Sequence, residues 1–186
     1  MAVFASGSGT NAENIAKYFA ESQSIKVVLV VSNNPKAGVH ARVNQSGIPS
    51  VTFTNEEFAE GTEIVKKLTE LEVDWIILAG FLRKISEPFL KAFPDKIINI
   101  HPALLPKHGG KGMYGMRVHE AVVAAGGRES GITIHYVNEN YDEGQIIFQA
   151  TCPVLPSDTP EDVANKIHAL EYTYYPEVIE GLLNMD

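Results

Sequence analysis

The first hundred residues alternate short apolar runs with stretches of helical spacing, and that alternation leaves few folds open. Val3 to Ala5 is apolar and leads through Ser6-Gly-Ser-Gly-Thr-Asn11 into Ala12 to Ala20, where Ile15, Ala16 and Phe19 recur at helical spacing. Ile25 to Val31 is a β-branched run of the kind that fills a strand buried on both faces. A helix is expected from about Ala37 to Gln45, stopped by Gly47. Ser50 to Phe53 reads as a third strand, and Glu63 to Leu71 as a helix with Ile64, Leu68 and Leu71 on one face. Asp74 to Ala79 and Lys96 to Ile100 complete five strands. The pattern predicts an α/β protein with a doubly wound, mostly parallel sheet.

After residue 100 the rhythm changes. Ile132 to Val137 and Gln145 to Val154 read as strands separated only by Asn138 to Gly144, too short for a helical crossover, so an antiparallel pair is expected. Thr159 to Leu183 reads as a long final helix, with Thr159 as N-cap, Pro160 at the first helical position and acids in the first turn. At 186 residues one domain, 1–186, is the expectation.

Charge and cysteine content narrow the functional classes. A net charge of -8 with scattered basic residues gives no footprint for nucleic acid or an anionic membrane. No stretch reaches the length of a membrane span, and no secretion signal is visible. Cys152 is the only cysteine, which excludes an internal disulfide and suits a cytoplasmic protein. His40, His108, His119 and His168 lack metal-ligand spacing, so no metal is expected.

Ser6-Gly-Ser-Gly-Thr-Asn11 follows a strand and opens a helix, where backbone N–H groups attract anions and glycines permit close approach. It lacks the lysine of a triphosphate-binding loop, and a monophosphate is the preferred ligand. Gly7, Gly9 and Ala12 also fit the loose dinucleotide spacing. The second strand ends Val31-Ser-Asn-Asn-Pro35 without an acid, which disfavours NAD while Ser32, Asn33 and Lys36 leave NADP open. A ligand-free turn is the plain alternative.

Asn99-Ile-His101-Pro102 stands at the carboxyl end of the fifth strand, and alternation puts Asn99 and His101 on one side. An amide and an imidazole pointing together can donate to a carbonyl oxygen as it becomes an oxyanion. Asp142, in the loop Asn138-Glu-Asn-Tyr-Asp-Glu-Gly144, is the candidate carboxylate to raise the His101 pKa and accept protons. His135 can support the group from behind or serve a cross-strand structural role.

These blocks, with Leu78-Ala-Gly-Phe-Leu-Arg-Lys-Ile85, Ile98-Asn-Ile-His-Pro-Ala-Leu-Leu-Pro106, Gly131-Ile-Thr-Ile-His-Tyr-Val137, Tyr141-Asp-Glu-Gly144 and Glu171-Tyr-Thr-Tyr-Tyr-Pro176, span nearly the whole chain. Together they resemble the phosphoribosylglycinamide formyltransferases, folate-dependent enzymes with a Rossmann-like fold. The resemblance implies transfer of the formyl group of 10-formyltetrahydrofolate to the amine of glycinamide ribonucleotide in purine synthesis. By the same resemblance Asn99, His101 and Asp142 match the catalytic trio, Gly9, Thr10 and Asn11 the phosphate turn, and Glu171 a ribose contact. Phe81, Leu82, Arg83, Lys84 and Ile85, together with Asn99, Asn138, Glu139, Asn140, Tyr141 and Asp142, match the folate pocket, largely through backbone groups. It also implies a phosphate-binding half, 1–100, a catalytic and folate half, 101–186, and a monomer or homodimer.

One segment departs from the family pattern, since Lys107-His-Gly-Gly-Lys-Gly-Met-Tyr-Gly115 is longer and richer in glycine. A flexible lid or a solvated loop both fit it. Among other readings, a formyltetrahydrofolate deformylase would carry a regulatory domain before the first strand, where this sequence begins. A methionyl-tRNA formyltransferase would continue into a basic RNA-binding domain. An NADP-dependent oxidoreductase would rest on the glycine turn alone, and a silent folate-binding module on the pocket without turnover.

Overall fold

The computed structural model describes residues 1–185. Seven strands form one sheet in the order β3-β2-β1-β4-β5-β6-β7. The first five, β1 (Ala2–Phe4), β2 (Leu29–Ser32), β3 (Ser50–Thr52), β4 (Ile76–Leu78) and β5 (Ile97–His101), pair in parallel. β6 (Glu129–Tyr136) is antiparallel to β5, and β7 (Ile146–Pro153) to β6. The doubly wound, mostly parallel sheet with an antiparallel end is therefore the observed fold.

Strand alternation divides the core between two faces. On one face Val3, Val30, Ile77, Ile98, Ile100, Ile132 and Ile134 pack with residues of α1 (Thr10–Tyr18), α2 (Gly38–Asn44), α6 (Met116–Ala124) and α7 (Pro160–Leu183). On the other, Phe4, Leu29, Val31, Ile76, Leu78 and Ile97 meet Phe58 of α3 (Asn55–Glu60), Ile64 and Leu68 of α4 (Thr62–Glu70) and Phe89 of α5 (Glu87–Ala92). Phe4, Phe58, Phe81 and Phe89 interlock there as edge-on and stacked rings.

Three helices, α3, α5 and α6, have no counterpart in the sequence reading. The N-terminus of α3 is nevertheless written locally, because Thr54 and Glu57 close a reciprocal capping box. The same device starts α7, where Thr159 and Asp162 cap each other and Pro160 opens the helix. α1 begins at Thr10, two residues earlier than its apolar spacing suggests, so Thr10 and Asn11 lie inside the first turn. β2 is shorter than the run Ile25 to Val31, since its pairing with β1 starts only at Leu29. Leu105–Pro106 is a cis peptide.

Candidate active site

Sheet order creates the opening. β1 connects to β2 on one side and pairs with β4 on the other, so the connections after β1 and β4 part at this reversal, where open α/β sheets bind ligands. The turn after β1 is tied to the connection after β4, with Ser6 N–H donating to the Gly80 carbonyl at 3.0 Å and Leu82 N–H to Ser6 Oγ at 2.9 Å. Of the stretch 81–85, Phe81 and Ile85 face the core, while Leu82, Arg83 and Lys84 face solvent.

Gly9 is the N-cap of α1 at φ 77, and a Cβ there would collide with Val39 of α2. Only glycine lets the turn close on its neighbour. Because Gly9 has no side chain, no side-chain cap occupies the first-turn amides of α1. Arg42, not singled out from the sequence, braces this turn: its Nε donates to the Ser8 carbonyl at 2.9 Å and its Nη1 to Glu13 at 2.6 Å. Glu13 also pairs with Lys17, so its charge within the first turn is balanced by two cations.

α7 brings Glu171 against the same turn. Asn11 Nδ2 donates to Glu171 Oε2 at 2.9 Å, while Asn11 Oδ1 is buried with no partner among the described residues. Burial pushes the Glu171 carboxyl up to about 7 despite that hydrogen bond. The docking of the two helices has a cause in α7 itself. Pro176 has no N–H to give the Tyr172 carbonyl one turn back, and Asn14 of α1 donates to that carbonyl at 2.9 Å instead.

The opposite half of the opening lies where β5 and β6 leave the helical layer. Ile98 and Ile100 of β5 and Ile132 and Ile134 of β6 take one face, which turns Asn99, His101, Thr133 and His135 to the other. The antiparallel register sets Asn99 opposite His135 and His101 opposite Thr133. Four polar side chains on one sheet face need partners, and connecting segments supply them. Thr133 Oγ1 donates to the Ala103 carbonyl at 2.7 Å and accepts from Leu105 N–H at 3.0 Å and Gln149 Nε2 at 2.8 Å, fixing the chain just after His101. Neither Thr133 nor Gln149 stood out in the sequence.

The β6–β7 connection folds back over this face. A Cβ on Gly144 would collide with the Tyr136 carbonyl, so a glycine is what allows the return. The result places Asp142 Oδ2 3.6 Å from His101 Nδ1 and Oδ1 3.7 Å from His135 Nε2. His135 Nδ1 lies 2.9 Å from the Tyr136 carbonyl, which can only accept, so that nitrogen carries the proton. In the neutral ring Nε2 then accepts from Asn99 Nδ2 at 3.2 Å. The same argument puts a proton on His101 Nε2, 2.8 Å from the His108 carbonyl. Asn99, alone among the five residues of β5, is not fully buried.

The electrostatics correct one expectation. Asp142 does favour the charged form of His101, but burial outweighs it and moves the imidazole below its ordinary value. Neutral imidazole is thus the resting form at neutral pH. Burial alone would raise the Asp142 carboxyl; His135, His101 and the Gly110 amide more than offset it and hold the group below the usual carboxylate range. Asn33, a residue that left NADP open, is engaged internally with Ser6 and Asn55. Among the described residues no cluster has the makings of a metal site, and no helix is long and apolar enough to cross a membrane.

The site and fold together define an open α/β protein with a glycine turn after its first strand and an amide, imidazole and carboxylate group at the end of its fifth. The formyl transferase family model matches residues 1–179, and the chain belongs to that family. It is 42% identical over 188 residues to the chloroplastic phosphoribosylglycinamide formyltransferase of Arabidopsis thaliana, covering 98% of this chain and 64% of that protein. With the phosphoribosylglycinamide formyltransferase of Haemophilus influenzae it shares 37% identity over 97% of this chain and 85% of the other. The crystal structure of glycinamide ribonucleotide transformylase 1 from Geobacillus kaustophilus superposes with a TM-score of 0.89 at 37% identity, covering 98% and 97% of the two chains.

Proposed function

We propose that the protein transfers the formyl group of 10-formyltetrahydrofolate to the amine of glycinamide ribonucleotide, giving the N-formyl product and tetrahydrofolate, as a step of purine synthesis. The observation that carries this reading is the meeting of Asn99, His101 and Asp142 where the β6–β7 connection folds back over the end of β5, together with a helix start that no side chain caps at the end of β1. The relatives that share this architecture carry names of the same activity.

In this mechanism the first-turn amides at Gly9, Thr10 and Asn11 hold the ribonucleotide phosphate, and Glu171 accepts from the ribose hydroxyls. The folate lies along 81–85 and 138–142, so residues 1–100 serve mainly the phosphate and 101–186 the folate and the chemistry. The substrate amine attacks the formyl carbon directly. As the carbonyl oxygen gains charge it accepts from the second Asn99 N–H and from His101 Nε2–H, which leaves the His108 carbonyl to reach it. Asp142 takes a proton from the attacking nitrogen and returns it to the folate nitrogen as the C–N bond between that folate nitrogen and the formyl carbon breaks. No covalent enzyme intermediate forms. Fixing both substrates in one opening supplies the proximity that a weak amine nucleophile requires.

The test is a formyl-transfer assay with and without the ribonucleotide amine. Tetrahydrofolate and N-formyl product should form together and only when the amine is present. Amine-independent release of formate would assign a hydrolase instead.

A further inference from the structure

The glycine-rich connection Lys107–Gly115 touches both titratable members of the trio through its backbone. The His108 carbonyl accepts from His101 Nε2 at 2.8 Å, and two residues later the Gly110 N–H donates to Asp142 Oδ2 at 2.8 Å. The histidine contacts to Asp142, at 3.6 and 3.7 Å, are too long to count as hydrogen bonds. Among the described residues, the Gly110 amide is therefore the one donor within hydrogen-bond distance of that carboxylate.

The remainder of the local geometry serves this single contact. Asp142 stands at φ 56, in the left-handed region, on a connection with no regular structure of its own. Gly109 lies against it: a Cβ there would approach Asp142 Cβ to 3.5 Å and collide with the Leu105 side chain. Gly110 itself sits at φ 91, a conformation that side-chain-bearing residues rarely adopt, with open space where its Cβ would be. A substituent would not be blocked, but the peptide carrying the N–H would turn to relieve the backbone.

We infer that Gly110 is a positioning residue for the reaction: its backbone amide pins one oxygen of Asp142 and so aims the other toward His135 and the reacting atoms. This rests on the reading of Asp142 as the proton acceptor in formyl transfer. Pinning Oδ2 fixes the side-chain rotamer, which the long histidine contacts alone leave loose. The device is invisible as a side-chain motif because the donor is a main-chain group.

Gly112 provides a matched control. It stands at φ 92, also with open space around its Cβ position, and makes no hydrogen bond to the trio among the described residues. The full-length Gly110→Ala and Gly112→Ala variants carry similar backbone strain, and only the first disturbs the carboxylate. In the formyl-transfer assay Gly110→Ala should lower kcat roughly ten-fold or more, the worth of a hydrogen bond to a charged group, with KM little changed. The acid limb of its pH profile should move upward, because the amide that helps keep Asp142 ionised is displaced. Gly112→Ala should stay within about two-fold of the parent. Gly110→Asn, whose residue tolerates left-handed backbone, should recover most of the rate.

Carbon NMR of the aspartate carboxyls reads the same contact without turnover. The Asp142 titration should move up in Gly110→Ala and remain in place in Gly112→Ala. Equal loss in the two alanine variants, an asparagine variant no better than alanine, or an unmoved Asp142 titration would each overturn the inference. A parent chain that forms no N-formyl product would defeat the functional reading instead, and the NMR titration would still decide whether Gly110 holds the carboxylate.

Discussion

The two ends of the opening are built from different material. At the glycine-turn end several side chains on helices hold close partners: Asn11 Nδ2 with Glu171 at 2.9 Å, Arg42 with Glu13 at 2.6 Å, Asn14 with the Tyr172 carbonyl at 2.9 Å. At the other end Asp142 approaches His101 and His135 only to 3.6 and 3.7 Å, on connections steered by backbone hydrogen bonds. A binding surface gains from stiffness, since what is already ordered costs nothing further when the ligand arrives. A proton-transfer group gains from a partner near enough to stabilise new charge and not yet spent on it.

That contrast is most directly broken by changing the carboxylate end. Asp142→Asn keeps the shape of the side chain and removes the charge, and should lower kcat by about two to four orders of magnitude with little effect on KM for the ribonucleotide. Steady-state kinetics checks this, and a change confined to KM would move Asp142 to the binding surface. Gly144→Ala should cost about 2 kcal/mol or more of folding stability as well as activity, because its Cβ has no room beneath the Tyr136 carbonyl. Urea unfolding measures the loss.

The stiff end offers a prediction with a pH signature. The Glu171 pKa is raised in the folded state from 4.5 to about 7, so the folded protein binds this proton more tightly than the unfolded chain does. Its contribution is complete below the unfolded value and is lost as pH rises through the folded one. Glu171→Gln, which cannot ionise, should therefore be more stable than the parent at pH 8 by up to about 3 kcal/mol, with the gap closing under acid conditions. The same substitution should raise KM for the ribonucleotide and spare kcat, the reverse of Asp142→Asn. The smallest effect belongs to Asn14→Ala, about 1 kcal/mol in thermal or urea melts, because the Tyr172 carbonyl freed by Pro176 loses its donor but remains close to solvent.

Legibility in the sequence follows the same division. The glycine turn and the strands around it are local features, and Ser6 to Asn11 between an apolar run and a helical one announces itself. α3 and α5 escaped because each has six residues and buries a single apolar side chain, Phe58 or Phe89, too little to make a period. The Thr54 and Glu57 capping box was the available signal for α3. α6 follows the glycine-rich connection, whose composition hides a helix start.

At the other end the identities Asn99, His101, His135 and Asp142 are readable, and their meeting depends on β6 running antiparallel to β5, which no local pattern states. The direction of the His101 shift is hidden in the sequence for a related reason. The charge of Asp142 is visible in a sequence, but the burial that exceeds it is a property of the fold. Thr133, Gln149 and the Gly110 amide were missed because two are ordinary strand residues and the third is main chain.

The central claim is that Asp142 and His101 act as one unit on one reacting carbon, and a double-mutant cycle on kcat tests it most directly. His101→Ala, Asp142→Asn and the combined variant should be strongly non-additive, with the double variant about as slow as the slower single one. Fully additive losses would mean that the two side chains act independently, and would contradict the account.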